Sequence, residues 1–147
     1  MTQEEKELLM KDLCARLPYG VRIQYDSQAC KMVTVNDDYT VLLLGEDGHK
    51  PNIEDDLFLD IEKAKPYLRP MSSMTEEEKD EYSSFALREH DGYLNDDTPD
   101  YTGKHYVYTD NVSIFTDWLN KHHFDYRGLI EKGLAIAVTE ENNPYKK

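Results

Sequence analysis

The stretch VRIQYDSQACKMVTVNDDYTVLLL, Val21 to Leu44, decides the fold. Val21-Arg22-Ile23-Gln24-Tyr25 alternates apolar and polar residues, the period of a half-buried strand. Ala29 to Val35 is rich in branched residues, and Tyr39 to Leu44 closes on four consecutive aliphatic side chains. The connections Asp26-Ser27-Gln28 and Asn36-Asp37-Asp38 are short and built from turn-forming residues. Short connections permit only antiparallel neighbours, so the three runs predict an antiparallel meander. The third run is apolar on both faces and is expected to be the most buried strand.

Upstream, Thr2 and Glu5 have capping-box spacing, and Leu9, Met10, Leu13, Cys14 and Leu17 recur at helical period. This predicts an N-terminal helix, stopped by Pro18-Tyr19-Gly20, with Cys14 on its apolar face and Leu8 off it. Downstream, Leu57-Phe58-Leu59 suits a short strand. Pro66 to Pro70 must be largely extended, because each proline excludes the helical region for its predecessor. Thr75 caps a second helix that starts on Glu76, Glu77 and Glu78 and turns Tyr82, Phe85, Ala86 and Glu89 to one side. Asp91 to Gly103 is a polar loop, and Lys104 to Thr109 suits a strand. A third helix begins near Asp110 or Asn111 and presents Ile114, Phe115, Trp118, Leu119 and His122. A short fourth helix is expected over Asp125–Lys132, ended by a left-handed Gly133. Leu134, Ile136 and Val138 then alternate as a last strand. The fold class is α+β: an N-terminal helix, a three-stranded antiparallel meander, then helices packed on the sheet. One globular domain is expected over residues 1–139, with a flexible C-terminal tail at 140–147.

The chain has 147 residues, enough to bury roughly 68–70% of its unfolded surface without disulfide or metal staples. No run approaches the ~18 apolar residues of a membrane span, and Met1-Thr2-Gln3-Glu4-Glu5 does not read as a signal peptide. Cys14 and Cys30 have neither zinc-knuckle nor redox spacing, and a reducing cytoplasm is the expected setting. The net charge is −13, and its distribution matters more than its size. Residues 71–100 carry ten acids and two bases, whereas residues 101–147 carry six of each. Without a basic stripe to neutralise phosphates, direct nucleic-acid binding is disfavoured.

No catalytic or metal-binding motif stands out over a plainer reading of the same residues. Counting an EF-hand from Asp91 puts Tyr93 at the third position and Asp96 where glycine belongs, so a solvated loop fits better than a calcium site. His49, His90, His105, His122 and His123 lack zinc spacing. Both cysteines read as core residues rather than nucleophiles, and no nucleophile elbow, P-loop or dinucleotide fingerprint occurs. Arg127 and Lys132 could hold a phosphate or carboxylate, but helix docking and capping explain the segment around them as well. No catalytic residue, metal or cofactor is assigned.

Three further stretches stand out: Lys11-Asp12-Leu13-Cys14-Ala15-Arg16-Leu17-Pro18-Tyr19-Gly20-Val21, Lys65-Pro66-Tyr67-Leu68-Arg69-Pro70-Met71-Ser72-Ser73-Met74-Thr75, and Asp117 to Asn120 with Phe124 to Ala135. Together they resemble a family of small uncharacterised proteins of gut anaerobic bacteria and their phages and mobile elements. That resemblance implies a mobile-element setting, in which small acidic proteins act by binding other proteins, and no activity.

The acidic segment carries the functional expectation. Helix-dipole stabilisation, at about 0.3–1 kcal/mol each, accounts for Glu76, Glu77 and Glu78. It does not account for Asp80, Glu81, Asp91, Asp96, Asp97 and Asp100, which are interleaved with Tyr82, Tyr93 and Tyr101. Tyrosine supplies contact area at low entropic cost, so these nine residues are the candidate partner-binding surface. The expected function is a small binding or inhibitory accessory protein that meets a basic protein partner, with no direct nucleic-acid or membrane contact. The alternatives are a small enzyme or metal-dependent protein, a structural component of a phage particle, and a face that serves solubility alone.

Overall fold

A capped helix and a meander open the structure, a computed structural model that describes residues 1–25, 28–44, 58–88 and 112–146, with backbone only at 85–88 and 112–113. In chain order the elements are α1 (Gln3–Arg16), β1 (Arg22–Tyr25), β2 (Gln28–Val35), β3 (Thr40–Leu44), β4 (Phe58–Asp60) and β5 (Lys65–Pro70). They continue with α2 (Glu76–Arg88), α3 (Val112–Lys121), β6 (Phe124–Asp125) and β7 (Ile136–Ala137). The chain is α+β, as the sequence predicts. It divides into two compact units, one of Met1–Leu68 with Arg127–Lys147 and the other of Arg69–Tyr126. The expected loop 91–103 and strand 104–109 lie outside the described residues.

In the first unit, Thr2 forms the capping box: its Oγ1 accepts from the Glu5 amide at 3.1 Å, and its own amide donates to Glu5 Oε2 at 2.9 Å. The left-handed Gly20 follows the turn Leu17–Tyr19 that ends the helix. Helix α1 buries Leu9, Asp12, Leu13 and Arg16. This corrects the expected face. Leu9 and Leu13 are buried as expected and Met10 and Leu17 pack half-buried on the core, but Cys14 is exposed and Leu8, expected off the face, packs on the core as they do. The stripe is turned because two charged residues occupy it, and they can do so only as a pair: Arg16 Nε donates to Asp12 Oδ2 at 2.7 Å with both side chains fully buried.

The meander forms as predicted. Strands run in the order β4-β3-β2-β1-β5, antiparallel throughout, and β7 lies parallel to β5 through Tyr67↔Ile136 and Leu68↔Ala137. Ile23 faces Cys30, Met32 faces Leu43, and Val41 faces Leu59, and all six are buried. The register shifts between Met32 and Thr34, leaving Val33 as the extra residue of a bulge and exposed. Strand β3 buries only alternate residues, Val41 and Leu43, while Leu42 and Leu44 are half-buried. At the β2–β3 turn Tyr39 takes φ +63°, unusual without glycine. Three contacts hold it there: its ring packs on the core, its carbonyl accepts from the Ile61 amide at 2.9 Å, and its hydroxyl accepts from Gln3 at 3.0 Å.

The expected helix over 125–132 is not formed. Asp125 belongs to β6, and the local stop signal survives as a single turn. The Gly133 amide donates to Ile130 O at 3.0 Å and Leu134 to Leu129 O at 2.9 Å, with Gly133 left-handed at φ +73° as predicted. Leu129, Leu134 and Ala135 enter the first unit's core. Within the stretch expected to be a loose tail, the Tyr145 hydroxyl donates to Tyr67 O at 2.7 Å and accepts from the Arg22 amide at 3.0 Å. It thereby links β1 to β5.

The second unit is built on aromatic packing. Arg69↔Phe124 and Pro70↔Asp125 pair in parallel, and α3 lies against β6. Met74, Tyr82, Phe115, Trp118, Leu119 and Phe124 make its core. The Tyr82 ring meets Phe115 edge-on at 5.1 Å and Trp118 at 5.3 Å, geometries favoured by the ring quadrupoles. Helix α3 buries Phe115, Trp118 and Leu119 on the face its spacing predicts.

Candidate functional site

Helix α2 begins on a second capping box. Thr75 Oγ1 accepts from the Glu78 amide at 3.1 Å, and the Thr75 amide donates to Glu78 Oε1 at 3.0 Å. From this start the helix sorts its charges by face. Tyr82 is fully buried, Glu78 and Lys79 are half-buried, and Glu76, Glu77, Asp80 and Glu81 are exposed. Positions 76 and 80, and 77 and 81, are each one turn apart, so the four carboxylates form one stripe. Lys79 reaches back to Glu76 at 3.1 Å across an exposed i,i+3 pair. Like charges at i,i+4 destabilise a helix by about 0.2–0.5 kcal/mol per pair, so Glu76–Asp80 and Glu77–Glu81 work against α2. The dipole favours the first-turn acids but fades beyond them, leaving Asp80 and Glu81 without that compensation.

Glu78 anchors the stripe. Arg69 donates to it through both terminal nitrogens, at 2.8 and 2.7 Å, and lies 4.1 Å above the Phe124 ring centroid. Burial pushes the Glu78 carboxyl up, but the Arg69 hydrogen bonds and charge and the Thr75 cap outweigh it, so its pKa falls to about 2. His122 Nδ1 lies 3.8 Å from Glu78 Oε2, with its ring 4.3 Å from that of Trp118. Burial lowers the His122 pKa despite the opposing pull of Glu78 and Glu81. The cluster therefore holds α2 by an ion pair that stays charged at neutral pH and leaves the outer stripe to solvent.

Of the nine sequence-predicted residues, Asp80 and Glu81 stand on the exposed face. Tyr82 points the other way: it is fully buried among Phe115 and Trp118, and its ring offers a partner nothing. Asp91, Tyr93, Asp96, Asp97, Asp100 and Tyr101 lie outside the described residues. Glu76 and Glu77, which the sequence reading attributes to the dipole alone, complete the stripe. Only helical geometry places them one turn from Asp80 and Glu81.

Arg127 is engaged inside the first unit. Its Nη1 donates to Asp12 Oδ1 at 2.8 Å, so Asp12 joins two guanidiniums, Arg16 and Arg127. Lys132, the other base considered for anion binding, is exposed on the turn. Asn36, Asp37, Asp38, Thr40 and Phe58 line an open groove of about 520 Å³ at the β2–β3 turn. Among the described residues no group of three or more His, Cys, Asp or Glu is arranged to hold a metal, and no helix is long and apolar enough to cross a membrane.

No family profile, curated protein or solved structure matches the chain.

Proposed function

We propose that this protein is a small binding or inhibitory accessory protein that presents the outer face of α2 to a basic surface on a protein partner. The observation that carries the reading is the stripe Glu76, Glu77, Asp80 and Glu81, fully outside while Glu78 beneath it fixes the helix. A face that served solubility alone would gain as much from scattered charge and would avoid the i,i+4 repulsion. Aligned carboxylates on a rigid helix steer a cationic partner and fix its register. The sequence resemblance supports a phage or mobile-element setting, and the reading places the protein in a reducing cytoplasm, where the exposed thiol of Cys14 would stay reduced.

The test is a ¹H–¹⁵N titration of the whole chain with a decalysine peptide at low and high salt. Shifts concentrated on residues 76–81 and abolished by salt are expected. Equal shifts at Glu140 and Glu141, two exposed acids on another segment, would mean that the protein offers only diffuse charge and no site.

A further inference from the structure

No further inference is drawn: the strongest candidate, the open groove at the β2–β3 turn lined by Asn36, Asp37, Asp38, Thr40 and Phe58, sets two exposed carboxylates beside a partly exposed ring, and nothing in the structure shows what covers it.

Discussion

Replacing Asp12 with Asn puts the buried charge cluster of the first unit to the test. Asp12 is fully buried and accepts from Arg16 at 2.7 Å and from Arg127 at 2.8 Å. Arg16 is fully buried as well, so its charge cannot turn to water when the carboxylate goes. Removing one member of a buried pair costs about 3–5 kcal/mol, because the remaining charge keeps its desolvation penalty. With a denaturant slope of about 4 kcal/mol/M in guanidinium chloride, that loss moves the unfolding midpoint down by about 1 M. The paired variant Asp12→Leu with Arg16→Met removes both buried charges and is expected to recover at least half of the loss. Recovery is feasible because Arg127 is 17% exposed and can reach solvent. As a control, Glu62→Gln breaks the exposed Lys6–Glu62 pair and costs about 0.2–1 kcal/mol. Circular dichroism during denaturation measures all three. A loss below ~1 kcal/mol for Asp12→Asn, or a double variant no better than the single one, would mean that the buried charges do not depend on one another.

Glu78 sets an acid limit on the second unit. Its folded pKa of about 2 lies below the ordinary 4.5, so its contribution is full above pH 4.5 and is lost as pH falls towards 2. The shift gives a ceiling of about 3 kcal/mol, and solvent screening at this half-wet site reduces it to about 1–2 kcal/mol. Glu78→Gln should lose that much at pH 7 and show a flatter stability profile between pH 4.5 and 2; parallel profiles would contradict it. Tyr145→Phe removes two hydrogen bonds and is expected to cost about 1–2 kcal/mol by thermal denaturation at pH 7. Burial raises the Tyr145 pKa above its usual 10.0, so the wild-type protein gains from this group below pH 10 and loses the gain as pH rises further. The gap between the two proteins should therefore narrow at alkaline pH, and a constant gap would argue against a buried phenol.

The meander was legible because its alternation, short turns and branched residues agree with one another. The capping boxes at Thr2 and Thr75 were legible in part, since Thr-x-x-Glu spacing needs no tertiary partner. The buried face of α1 was not. A hydrophobicity pattern counts Asp12 and Arg16 as solvent-facing, whereas they are buried as a pair, with the second Asp12 oxygen taken by Arg127 from more than a hundred residues away in sequence. The 125–132 segment shows the converse. Gly133 stops a turn as its sequence says, but Asp125 is taken into β6 beside β5 and Gly128 is left-handed at φ +75°, which interrupts a helix over this segment. At the candidate site only Asp80 and Glu81 were legible as surface acids, because the dipole explanation set Glu76 and Glu77 aside until the helix showed them one turn away, while Tyr82 carried two incompatible signals. Its spacing relative to Phe85 and Ala86 placed it on the apolar face, its acidic neighbours placed it outside, and packing on Phe115 and Trp118 decided.

Binding of a basic protein by the outer stripe of α2 can be tested directly. The decisive variant carries Glu76→Gln, Glu77→Gln, Asp80→Asn and Glu81→Gln together, which moves the net charge from −13 to −9. It should stay within about 1 kcal/mol of wild-type stability, because lost dipole interactions are offset by relieved repulsion. Wild type and variant, immobilised separately, are exposed to a bacterial lysate at low and high salt, and the retained proteins are compared. A basic protein held by wild type, released by salt and absent from the variant is the predicted result. Identical retention by both proteins, or retention indifferent to salt, would contradict the account.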